Sequence, residues 1–211
     1  MIQQDKIISK SLFAGIVISI FCYILLSSCN TAYNGFLFPI AILFCSIFGL
    51  NLYTTKICAL SDTQDIRRSF LVLILNLFAV IILGLLFSLD DNIYNNANLI
   101  INKKFNIGII DTIIGATITG FIMPLLIWDD NRTFNVIKMI LFVVLGSILF
   151  TSIYQHTVFD LFIYVSSLRM FTDPDDTFIR LLFTVIFNFI GCNMYNIMVN
   201  KSLVYNKNSI L

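Results

Sequence analysis

One histidine, His156, occurs in the chain, in the polar stretch Tyr154-Gln155-His156-Thr157 between an apolar run ending at Ile153 and another beginning at Val158. An ionisable side chain inside a membrane-type segment marks a functional site by default, and a free imidazole titrates near about pH 6.5, so this group can hold or deliver a proton. The opposing reading ties the ring to a backbone carbonyl at the membrane surface. Asp160 follows four residues later, where a helix would put both on one face and predict an ion pair favouring the imidazolium; the alternative is a surface aspartate near the outer rim. Lys103 and Lys104 precede an apolar run that opens at Ile107. Lysines there either snorkel to the interface or raise the local concentration of anions.

Other chemistries lack their residues. No second histidine or acidic cluster is placed to complete a metal site, and no serine or cysteine nucleophile stands in a recognisable setting, so we expect neither an enzyme, a metal nor a cofactor. The cysteines (Cys22, Cys29, Cys45, Cys58 and Cys192) have no CxxC or zinc-ligand spacing and mostly sit in apolar runs, which predicts simple packing.

The elements that must position these groups are membrane helices. Of 211 residues, 58% are hydrophobic and 12% charged, against roughly a quarter charged in soluble domains. Apolar runs cover Ser11 to Leu26, Gly35 to Leu52, Phe70 to Leu89, Ile107 to Trp128, Val136 to Ile153 and Phe178 to Val199. At roughly 1.5 Å per residue each can cross a hydrocarbon core of about 30 Å. They lack the period-two alternation of porin strands, so the expected fold is all-α, a single transmembrane domain over residues 1–211 with six spans.

Six spans put both termini on one side. With the termini inside, the inner segments hold nine lysines and arginines (Lys6, Lys10, Lys56, Arg67, Arg68, Arg132, Lys138, Lys201 and Lys207) and the outer segments four (Lys103, Lys104, Arg169 and Arg180). This asymmetry places both termini in the cytoplasm and the chain in the cell (inner) membrane. A net charge of +1 without a basic block argues against a nucleic-acid partner. Lys10, the first apolar run and Leu26-Ser27-Ser28-Cys29 imitate a lipoprotein signal, a reading that would cost the first span and break the repeat described next.

Two runs are interrupted in corresponding places. The second span runs into Asn51-Leu52-Tyr53-Thr54-Thr55-Lys56 before a short apolar stretch, and the fifth into the polar residues around His156. Two halves of three spans each, about 11–89 and 107–199, predict an inverted repeat with a pore between them, because broken helices at membrane depth must be buried or line a wet cavity. The last span of each half carries an asparagine, Asn76 and Asn188, which either braces a break or lines the pore, or makes an ordinary interhelical contact.

These residues resemble the formate/nitrite transporter family along nearly the whole chain. Ala14-Gly15-Ile16-Val17-Ile18-Ser19-Ile20 is similar to the family's opening helix. Gly35-Phe36-Leu37-Phe38-Pro39-Ile40, leading to Gly49-Leu50-Asn51-Leu52-Tyr53-Thr54, resembles its first-break signature, and Tyr154-Gln155-His156-Thr157 with Leu161-Phe162 resembles the second break with its central histidine. The resemblance implies that Thr54 is the loop threonine, Lys104 the vestibule lysine, Phe38, Ile42 and Leu149 the apolar constrictions, and Leu52 and Tyr53 the narrowing loop. Asn76 and Asn188 match its asparagines. Asn51, Thr55, Gly120 and Asp160 depart from its usual residues, Gly120 and Asp160 both standing where asparagine is common. The chain is short for the family's amphipathic N-terminal helix.

The resemblance further implies a homopentamer with one pore per subunit, passing a small monovalent anion such as formate, nitrite, hydrosulfide or lactate. A bare anion in an apolar constriction loses hydration at a cost of several kcal/mol, so it would take a proton inside, with His156 as donor or exchanger. Two rival expectations are a pore for a neutral solute and a non-transporting scaffold or sensor subunit.

Overall fold

The computed structural model of the protein describes residues 2–28, 31–59, 63–126, 136–150 and 155–208. All regular structure among the described residues is helical: α1 (Ile2–Ser27), α2 (Thr31–Ile47), α3 (Tyr53–Lys56), α4 (Thr63–Phe87), α5 (Asp91–Asn106), α6 (Ile109–Ile122), α7 (Val136–Phe150), α8 (Thr157–Ser166), α9 (Arg169–Thr172) and α10 (Pro174–Asn208). Short 3-10 turns extend α3 over Ile57–Ala59 and α6 over Met123–Leu126. The all-α expectation holds.

Stretches Asp5–Ser27, Ile66–Phe87 and Pro174–Tyr195 within α1, α4 and α10 are long and apolar enough to cross a membrane alone. The pair α5 and α6 adds a fourth such unit, bent by 108° at Ile107 and Gly108. The second and fifth runs are divided, as their polar interruptions foretold. One yields α2 and α3, the other α7 and α8. Trp128, Ile153 and Tyr154 lie outside the described residues.

α1 and α4 pack along each other in the first half, as α6 and α10 do in the second. Glycines make both approaches possible. A Cβ on Gly15 of α1 would come within 2.8 Å of the Asn76 carbonyl oxygen on α4, and one on Gly120 of α6 would collide with the Asn188 carbonyl of α10. That collision gives a physical reason for glycine at position 120, where no asparagine side chain could fit. Side chains such as Phe13, Ile20, Phe78, Ile110 and Phe178 point outward from these helices, as expected of surfaces that face lipid rather than water.

α8 is unlike the others. Every residue from Thr157 to Ser166 is buried. At ten residues it spans only about 15 Å, so it lies sheathed by α1, α4, α5 and α10. This enclosure answers the constraint that interrupted backbone be covered by protein.

The sequence assigned no element to the segment between the third and fourth apolar runs. That segment contains the 16-residue helix α5. Asp90 caps it, its carboxylate accepting from the Asn92 amide at 2.9 Å, and Lys103 and Lys104 occupy the last turn, where cations suit the helix dipole. Ile93, Ala97 and Ile101, four apart, form its buried stripe.

The cysteines also differ from expectation. Cys22 and Cys45 are buried free thiols, but Cys58 and Cys192 meet across the two halves with Cα atoms 5.0 Å apart, within disulfide range. Cys29 lies outside the described residues.

Candidate functional site

Each break leaves backbone groups that need partners, and one asparagine per half supplies them. The Asn76 Oδ1 accepts the amide of Tyr53, the first residue of α3, at 2.8 Å; its Nδ2 donates to the carbonyls of Ser11 at 2.7 Å and Asn51 at 3.1 Å. In the other half the Asn188 Oδ1 accepts the amide of Thr157, the first residue of α8, at 3.2 Å. Its Nδ2 donates to Ala116 at 2.8 Å and Gln155 at 3.0 Å. Both asparagines are fully buried. Each asparagine thus bonds both to its break and to a neighbouring helix, through Ser11 of α1 and Ala116 of α6.

These bonds set the halves in register: Asn51 answers to Gln155, Tyr53 to Thr157, and therefore Leu52 to His156. One break presents an isobutyl group where the other presents an imidazole.

His156 caps α8 with its ring. The Phe159 amide donates to Nδ1 at 3.5 Å, and because an amide can only donate, Nδ1 is the lone-pair nitrogen. The proton therefore sits on Nε2, which donates to the Thr54 hydroxyl at 2.9 Å. Both residues are completely buried. The surface reading of His156 is excluded, and the predicted His156–Asp160 ion pair is not formed. The helix carries Asp160 away from the ring, and only its amide returns, to the His156 carbonyl at 2.8 Å.

Asp160 pairs instead with Lys104. The Lys104 ammonium donates to the carboxylate Oδ1 at 2.8 Å and to Gln155 Oε1 at 3.0 Å. Asp160 is wholly buried, so it is no rim residue. Lys104 is committed inward while Lys103 stays exposed, which separates two lysines that spacing left equivalent and only the resemblance told apart.

Arg180 holds Lys104 in place, a role the sequence did not signal. Its guanidinium donates to the carbonyls of Lys104 (3.1 Å), Phe105 (3.4 Å) and Ile107 (3.2 Å), closing the end of α5. Asp176, four residues earlier on α10, accepts from its Nε at 3.0 Å, and the Phe105 ring lies against it. Five donors in a rigid fork suit this clustered task.

Phe38 lies edge-on to the imidazole, ring centres 5.1 Å apart, and against Phe159 at 4.7 Å. Phe150 completes the cluster at 5.3 Å from Phe159, and the Lys104 ammonium sits 5.7 Å from the Phe159 ring centre. Phe38, which the resemblance implied as a constriction, thus lies beside His156. Phe150 and Phe159 were missed, although Phe159 stands three residues after His156, one helical turn on. Ile42, Leu52 and Tyr53 are buried in the same core, while Leu149 falls on α7 with its side chain outside the described residues.

The arrangement is a buried, neutral, hydrogen-bonding imidazole with the Phe38 ring set against it, next to a lysine neutralised by an aspartate. No family model matches the chain, and no curated protein matches it. Solved structures do. A pentameric formate channel with formate bound superposes with a TM-score of 0.73 at 15% identity, covering 95% of this chain and 96% of its own. An FNT (formate/nitrite transporter) family ion channel gives 0.69 at 17%, covering 89% and 85%. The chain therefore has the fold of these channels, as the resemblance implied.

Proposed function

We propose that the chain is a divergent formate/nitrite transporter family member that forms a pore for a small monovalent anion or its conjugate acid. Its frame is one transmembrane domain of two inverted repeats, six spans in all, set in the cell (inner) membrane with both termini cytoplasmic. Five copies assemble, each with its own pore. The formate channel of like fold is pentameric, and the apolar side chains exposed along α1, α4, α6 and α10 leave surface to be covered by lipid or neighbouring copies.

The observation that carries this reading is the Thr54–His156 hydrogen bond, which joins the two breaks at a fully buried point. A polar donor pair at the meeting of two interrupted helices, walled by Phe38 and Phe159, suits a solute that is small and briefly neutral. An anion there would forfeit several kcal/mol of hydration. Protonation removes most of that penalty, and the imidazole exchanges the proton.

Uptake of labelled formate, nitrite, hydrosulfide and lactate into proteoliposomes tests the proposal. At fixed total concentration, flux of at least one should rise toward acid pH, and His156→Phe should alter it strongly. A native protein that carries none of the four ends the reading.

A second reading, a pore for neutral solutes, draws on the Lys104–Asp160 pair, which leaves the site without net charge. Water or polyol flux indifferent to pH would favour it.

A further inference from the structure

We propose that Lys104 and Asp160 form an exchangeable pair, in which an anion takes the place of the carboxylate on the lysine only as Asp160 takes up a proton. This rests on the anion-pore reading above and adds to it a proton acceptor separate from His156.

The geometry makes Asp160 a poor permanent anion. Its Oδ1 receives the Lys104 ammonium, but its Oδ2 is buried with no hydrogen-bond partner. A buried carboxylate usually fills its lone pairs, and an orphan atom calls for an explanation. Thr184 of α10 lies beside the carboxylate, but its hydroxyl is engaged with the Arg180 carbonyl at 2.9 Å.

The other ionisable groups around Asp160 do not replace this exchange. α5 brings Lys104, α1 brings the Cys22 thiol, and α10 brings Arg180, which is held by Asp176 and the end of α5. Its own helix carries Tyr164, with His156 at its cap, and Arg169 on α9 is paired with Asp173. α4 has no ionisable side chain from Ser69 to Phe87.

Lys104 is 11% exposed and Asp160 not at all, so the lysine is the partner that a solute can reach. With the pair closed, an arriving anion meets no net positive charge. A proton from solvent forms an O–H bond on Asp160, the Asp160–Lys104 ion pair opens, and the ammonium pairs with the anion. One proton and one negative charge enter together, and no other bond changes.

Nitrate isolates the effect, since it stays deprotonated across the accessible range and its own protonation contributes nothing. We expect nitrate uptake by the native protein in proteoliposomes to fall about tenfold per pH unit on its alkaline limb, as one linked proton requires. In Asp160→Asn, or Asp160→Ser should the amide not fold, uptake should be independent of pH and faster than native at neutral pH. Detergent-solubilised native protein mixed with sodium nitrate in weak buffer should take up one proton per bound anion, and the variant none. Nitrate flux with the same pH profile in native and variant overturns the exchange while leaving the pore intact. Formate flux without nitrate flux or nitrate-linked proton uptake overturns it too. No flux of any anion overturns both.

Discussion

The Thr54 hydroxyl and His156 Nε2, 102 residues apart in the chain, stand 2.9 Å apart in a fully buried position. The contact ties α3 to the cap of α8 and fixes the imidazole as a proton donor toward the first break. Replacing Thr54 by Val keeps the shape and leaves a buried N–H without its acceptor, a loss of about 1–3 kcal/mol. Thermal unfolding in detergent should show a lowered midpoint for Thr54→Val and a near-native one for Thr54→Ser. Equal midpoints for the two would mean the hydroxyl has no part in holding the ring.

Asn76 and Asn188 each satisfy three backbone groups of a break and of the helix beside it. Truncation of either to alanine strands those groups and should cost at least about 3 kcal/mol. The two breaks touch through Thr54 and His156, so the costs should not add. The double variant should fall short of the sum by about 1 kcal/mol, because the first truncation already loosens the shared contact. A strictly additive result in denaturant titrations would show that the halves fold independently.

What the sequence discloses follows from what leaves a local mark. Long apolar runs and their polar interruptions are local, so the all-α fold, both breaks and their bracing asparagines are legible. The direction of a side chain at a helix start is not. Asp160 at four residues from His156 reads as its partner, yet the His156 ring turns back to cap α8 and Asp160 reaches a lysine 56 residues away. α5 escaped notice because its buried stripe of Ile93, Ala97 and Ile101 is narrow among polar residues, unlike a span. Gly120 reads as a departure from a pattern until the Asn188 backbone is seen against it.

That close crossing yields a sharp contrast between glycines. A methyl group at Gly120 meets the Asn188 carbonyl, and one at Gly191 meets the Thr117 carbonyl, both rigid helix backbone. Gly120→Ala and Gly191→Ala should each destabilise by about 1–3 kcal/mol or more, the cost of overpacking. At Gly108 the nearest atom to an added Cβ is an Asp111 carboxylate oxygen at an ordinary 3.6 Å. Gly108→Ala should therefore leave the thermal midpoint nearly unchanged, and a loss matching that of Gly120→Ala would refute the crossing as the cause.

Arg180 offers the cleanest separation of stability from transport. Its guanidinium closes the end of α5 by donating to the carbonyls of Lys104, Phe105 and Ile107, so it sets where the Lys104 side chain begins. Lysine at this position keeps the charge and the Asp176 attraction, but three donors on one nitrogen cannot follow the spread carbonyls as a planar fork does. Arg180→Lys should retain most of the fold, losing about 1–3 kcal/mol for the carbonyls left unpaired. If Lys104 handles the anion, the same variant should raise the half-saturating concentration for uptake several-fold while Lys103→Ala, at an exposed site, leaves it unchanged. An unaltered half-saturating concentration in Arg180→Lys, with the midpoint lowered, would reduce Arg180 to a structural brace.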